Sequence, residues 1–108
     1  MHPKLHARYE ARARVVKALA HPTRLFLVDE LSRKDHCVAE LTRMVGADMS
    51  TVSKHLSILK AAGIVEDIKR GAQVIYRLRV PCILKFFECA SEVLETVAEQ
   101  QWQSIREK

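Results

Sequence analysis

A chain of 108 residues holds one small domain with a modest core, and at this size pairing with a second copy is a common way to bury more surface. Its 18 Lys plus Arg against 13 Asp plus Glu give a formal charge of +5, split as 15 basic and 8 acidic side chains in residues 1–79 against 3 and 5 in residues 80–108, so an anionic partner is expected on the front part and something else on the tail. No signal-peptide core and no run of about 18 apolar residues occurs, which points to a cytoplasmic protein with no membrane attachment, and there three cysteines do not make a structural disulfide framework.

Leu5, Tyr9, Val16 and Leu19 with Ala20 recur at helical spacing between Lys4, Arg8, Arg12, Arg14 and Lys17, so residues 5–20 read as a helix with a basic, solvated side. His21-Pro22 ends it. Proline is tolerated in the first turn of a helix, so Pro22 opens a second one, in which Leu25, Phe26, Val28 and Leu31 are expected in the core. Arg33, Lys34 and Asp35 form a polar turn. A short third helix follows from about Cys37 to Val45, with Val38, Leu41 and Val45 inward and Asp35 or His36 as its cap.

Gly46 suits the tight turn that comes next, and Asp48 is a good N-cap for a helix over Met49 to Ala62, ended by Gly63. Residues 37–63 thus read as a helix-turn-helix. On the second helix Val52, Leu56 and Leu59 fall on one side, while Ser50, Ser53, Lys54 and Ser57 gather opposite. That face is small, hydrogen-bonding and cationic, so it can lie close to a polyanion, its hydroxyls and lysine serving phosphates and base edges alike. A merely solvated face more usually carries long Glu and Lys. The short linker before it makes the pair of helices more specific than either alone.

After Gly63 the period becomes alternating: Ile64, Val65 and Ile68, then Val74, Tyr76, Leu78 and Val80, flank a polar segment with its tip at Arg70-Gly71. This hairpin, residues 64–80, is the wing of a winged helix. Lys69, Arg70 and Gln73 are candidates to touch the DNA backbone or minor groove, as are Arg77 and Arg79 from the strands. Pro81 opens a last helix to about Gln103, with Ile83, Phe86, Phe87, Ala90, Val93, Leu94, Val97 and Ala98 in one apolar stripe and Glu88, Glu92, Glu95 and Glu99 outside it. The stripe is too wide for so small a domain to cover, so residues 1–20 and 81–103 are expected to pair with a second copy. The fold class is therefore mainly α with a small β-hairpin: one winged helix-turn-helix domain over residues 1–108.

The stretches ALAHPTRLFLVDEL, HCVAEL, STVSKHLSILKAAGIV and RGAQVIYRL run in one order from about Val15 to Leu78, and in them the chain resembles the ArsR/SmtB family of bacterial and archaeal winged-helix repressors. The resemblance implies a homodimer bound to double-stranded operator DNA, a recognition helix in each of two successive major grooves. It also implies that Ser50, Thr51, Ser53, Lys54 and His55 form the DNA-contacting segment. The helical wheel agrees on Ser50, Ser53 and Lys54, and puts Thr51 and His55 on the flanks, where His55 suits packing or a phosphate equally.

Family members let go of their operator on binding an effector. The arsenic- and cadmium-type pattern is ELCVCDL; here DHCVAEL keeps Cys37 but has Ala39 at the second cysteine position, so that helix holds no thiolate pair. Residues 82–108 contain no His, which argues against the Asp and His site of zinc- and nickel-type members. Cys82 and Cys89 lie two turns apart on one face, about 10.5 Å by helical rise, and Cys37 is the one other thiol. Three thiolates suit As(III) or Sb(III), whereas zinc or cadmium would take a fourth ligand from His36 or a carboxylate. The expected effector is thus As(III) on Cys37, Cys82 and Cys89, within or across the dimer. The rival is a redox or persulfide sensor in which two of these cysteines bridge, and the third reading is three small buried hydrophobes.

Two other classes stand further off. A winged protein-interaction module would dock through its acidic last helix and bind DNA with little salt dependence. An enzyme is not expected, since no nucleophile-base set, phosphate-cradling Gly loop or carboxylate pair can be read.

Overall fold

Two His-Pro pairs open the first two helices by one device. Proline has no N–H to leave orphaned in a first turn and its φ is already helical, while the ring before it accepts a backbone N–H that the helix cannot pair. In the computed structural model, which describes residues 1–107, the His2 ring accepts from the Lys4 N–H at 3.1 Å ahead of α1, Pro3–Leu19. The His21 ring accepts from the Thr23 N–H at 3.1 Å ahead of α2, Pro22–Arg33. This cap draws the first helix back from Leu5, where apolar spacing alone starts it.

Periodicity does not reveal the next element. His36–Cys37 forms a two-residue strand, β1, ahead of α3, Val38–Val45. Cys37, rather than Asp35 or His36, is the N-cap residue of α3, and its N–H reaches Glu40 Oε1 at 3.4 Å. Gly46 closes α3 at φ 77°, a left-handed conformation that costs little only without a Cβ. Asp48 Oδ1 then accepts from the Thr51 N–H at 2.7 Å and starts α4, Met49–Ala61.

β2, Val65–Arg70, and β3, Gln73–Leu78, make the hairpin. Arg70 pairs with Gln73, so the tip is Gly71-Ala72 rather than Arg70-Gly71, and the strand stops at Leu78 rather than Val80. Gly71 has φ 62° and Ala72 is not at positive φ, the signs of a type II′ turn, whose twist matches that of the strands. β3 also pairs with β1, Cys37 opposite Ile75, in an antiparallel sheet of order β1-β3-β2. A 3-10 turn, Pro81–Ile83, leads into α5, Leu84–Arg106. Cys82 thus sits in this turn and not in the regular helix.

Leu27, Val28, Leu41, Val52, Leu56 and Leu59 are each 0% exposed and knit α2, α3 and α4 together; burial of each such side chain is worth about 1.5–3 kcal/mol. Ile64, Val65 and Tyr76 seal this core on the sheet side. Leu25 and Phe26, expected inside, are each 38% exposed because they turn toward an open apolar groove of about 600 Å³ shared with α1 and α5. No residue of α5 is buried. The radius of gyration is 17.5 Å, against about 13 Å for a compact domain of this length, because α5 projects from the body. No helix among the described residues is long and apolar enough to cross a membrane.

Candidate nucleic-acid interface

α4 divides as its wheel requires. Val52, Leu56 and Leu59 are fully buried, and Ser50, Thr51, Lys54 and Ser57 are exposed. Ser53 is half-buried. Asp48 shapes the first turn: its carboxylate accepts from the Ser50 hydroxyl and the Thr51 N–H, each at 2.7 Å, and these bonds hold its pKa down at about 2. The Ser50 proton is therefore engaged, leaving its oxygen to accept from a base edge. Free N–H groups and the positive end of the helix dipole lie in the same turn.

Lys69, Arg70 and Gln73 are all exposed beside the hairpin tip. A groove of about 330 Å³ runs between the tip and the first turns of α4, with Met49 and Ser53 on one wall and Gln73 and Val74 on the other. The start of α4 and the hairpin tip therefore border one groove. Arg77 and Arg79 are less available than the sequence suggests: Arg77 lies 3.5 Å from Asp35 and 3.8 Å from Glu66, and Arg79 lies 4.0 Å from Glu66. Lys60 bonds Asp67 at 2.9 Å, which raises the lysine pKa, lowers that of the carboxyl, and fastens the end of α4 to β2.

His55 faces the protein rather than open solvent. Its half-buried ring lies against His21, centroids 4.4 Å apart and planes tilted by 42°, and its Nδ1 is sealed from solvent with no hydrogen-bond partner. Burial first, then the nearness of His21 and Arg24, pushes its pKa below the usual histidine value. Of the carried-over DNA segment this is the residue most engaged in packing.

The cysteines are placed unequally. Cys37 is 7% exposed, and its Sγ donates to Glu40 Oε1 at 3.2 Å, whereas Cys82 and Cys89 are exposed and free. Glu40 also takes His36 Nδ1 at 3.0 Å; these contacts, His36 foremost, hold its pKa at about 2. His36 is 3% exposed, with Glu30 at 3.9 Å from its other ring nitrogen. Sequence reading missed this buried cluster, for which a Glu three residues after a cap was the available signal. Among the described residues no three His, Cys, Asp or Glu side chains stand together as a metal site.

Residues 21–67 match the family model described as bacterial regulatory protein, arsR family. The chain is 34% identical over 90 residues to the uncharacterized HTH-type transcriptional regulator Rv0081 of Mycobacterium tuberculosis, covering 82% of this chain and 79% of that one. It is 41% identical over 69 residues to the HTH-type transcriptional repressor SmtB of the same organism, 64% of this chain but 51% of that protein, so the match spans about half of SmtB. The homodimeric winged helix-turn-helix DNA-binding domain Mb0332 from Mycobacterium bovis superposes with a TM-score of 0.77 at 28% identity, covering 93% of each chain.

Proposed function

Because this chain belongs to the arsR family of bacterial regulatory proteins, we propose that it is a homodimeric transcriptional repressor that reads double-stranded operator DNA with α4 and braces it with the hairpin. The observation that carries this reading is the groove in which Met49 and Ser53 of α4 meet Gln73 and Val74 of the hairpin, with Ser50, Thr51, Lys54 and Ser57 exposed on the one element and Lys69 and Arg70 on the other. Hydroxyls and Ser53 would read base edges while the cations take phosphates. The dimer is supported by the uncovered stripe of α5 and by the homodimeric state of Mb0332. The test is titration of a duplex selected from random sequence at several salt concentrations. Affinity is expected to fall steeply, with a slope of about −0.9 per phosphate neutralised, and a flat response would instead favour a protein-docking role.

The proposed effector is thiophilic, As(III) foremost with Sb(III) in the same class, captured by cysteine thiolates. Support comes from Cys82 and Cys89, free and exposed where the chain enters its uncovered helix. A ligand bonded there bears on the dimer geometry that operator binding requires. The set is completed by Cys37, within one chain or across the dimer. The redox alternative is favoured by the same exposure but meets a geometric limit. Cys82 lies in the 3-10 turn and Cys89 in the second turn of α5, so at a rise of about 1.5–2 Å per residue their backbones stand about 10 Å apart or more, beyond the roughly 4.4–6.8 Å of a disulfide, and a bridge runs between copies or to Cys37. Adding As(III), Cd(II) or a persulfide donor to the operator complex of the wild type and of Cys37→Ser, Cys82→Ser and Cys89→Ser separates the readings. Release by As(III) that survives all three substitutions overturns the thiolate site, and a dimer band on a non-reducing gel after the persulfide donor supports the rival.

A further inference from the structure

One groove serves neither the DNA surface nor the apolar stripes. It lies between α1, α2 and the last turns of α4, has a volume of about 520 Å³, and is walled by Arg14, Lys17 and Arg24 over a floor that includes Val15, Ala18 and Ile58. Of the four large exposed apolar residues of α1, Leu5, Tyr9 and Val16 fall within about 40° of one another, while the fourth, Val15, lies with Ala18 on the groove side, the two centring more than about 100° away. The stripe and the groove thus lie on different sides of α1.

Its charge is one-sided. No acidic side chain lines it. Arg14, Lys17 and Arg24, like most Lys and Arg side chains among the described residues, have no carboxylate partner, Arg33, Lys60, Arg77 and Arg79 being the ones that do. The Nε of Arg24 is moreover sealed from solvent without a partner. Three unpaired cations held round one hollow repel each other, and an anion placed among them relieves this. Val15 is 38% exposed and Ile58 43%, so apolar surface is on offer directly beneath the charges. The volume falls within the roughly 300–1,000 Å³ of small-ligand sites.

We propose that this groove binds a small amphipathic organic anion, a carboxylate on an apolar body. The head sits among Arg14, Lys17 and Arg24, and the body lies on Val15, Ala18 and Ile58. A DNA phosphate is the poorer occupant, because Ile58 stands near the end of α4 opposite the Asp48 cap and a phosphate makes no use of an apolar floor. Since the floor includes α4, occupancy bears on the recognition helix; that consequence rests on the operator reading, whereas binding itself does not.

The test uses the full chain without DNA, followed by calorimetry and by amide shifts of Val15 and Ile58. Octanoate is expected to bind at one saturable site, with octanol at least about fivefold weaker for want of the charge and acetate at least about a hundredfold weaker for want of the apolar body. The double variant Arg14→Gln, Lys17→Gln is expected to lose about fivefold or more, and Lys4→Gln with Arg8→Gln, equal in charge but elsewhere on α1, to bind as wild type. The proposal is overturned if octanol matches octanoate, if inorganic phosphate or a random DNA duplex shifts the same amides as strongly, if both double variants weaken alike, or if no saturable binding occurs.

Discussion

α4 and α5 are both amphipathic, yet they are finished by different means. Val52, Leu56 and Leu59 of α4 are fully buried within the chain, while α5 has no fully buried residue, lays only the half-buried Phe87 on the core, and holds Val93 and Leu94 at 62% and 70% exposure. The first helix is fixed before any partner arrives, so its polar face is presented in a set orientation. The second keeps its apolar face for another molecule, and a second copy with the same stripe is the simplest match.

The comparison breaks most sharply under truncation. Leu56→Ala is expected to cost about 2–5 kcal/mol in urea unfolding, and Leu94→Ala no more than about 0.5 kcal/mol at a protein concentration low enough for monomer; equal costs would erase the distinction. Next in size, Leu94→Lys should halve the mass seen in analytical ultracentrifugation and weaken operator binding by about a hundredfold through lost bivalency. Lys54→Ala should lower affinity for all sequences alike and make the salt slope shallower by about one phosphate. Arg77→Ala, whose guanidinium is already held by Asp35 and Glu66, should do less. The smallest effect is a pH dependence at His55. Its folded pKa lies below the usual 6.5, so the unfolded chain takes the proton first. The stability it contributes is present above pH 6.5 and is lost as pH falls from there toward the folded pKa, and His55→Leu should flatten urea midpoints measured between pH 7 and 5.

Much of this architecture could be read from residue spacing. The buried face of α4, the Asp48 cap, Gly46 and the hairpin follow from local periods and from chemistry within a few residues. What could not be read depends on contacts made across the chain. β1 is two residues long and exists only because Ile75 and Tyr76 lie opposite it, so no period announces it. Leu25 and Phe26 are as apolar as Leu27, and their exposure follows from which neighbours α2 meets. The capture of Arg77 and Arg79 by Glu66 likewise depends on strand register. For the cysteines, spacing put Cys82 and Cys89 near each other along the chain, but it could not show that Cys37 would be shut in against Glu40.

The short pairing of His36 and Cys37 with Tyr76 and Ile75 governs where this chain tolerates a change of length. An extra residue at Gly71-Ala72 lengthens a solvent loop beyond the last pair, Arg70 and Gln73, and disturbs nothing beneath it. An extra residue between Leu31 and His36, if it slipped the pairing by one, would exchange the two faces of the strand and set the inward Tyr76 against a new neighbour. Reach at the tip can therefore change without retuning the core, whereas the root of the hairpin is locked to α3 and moves with it.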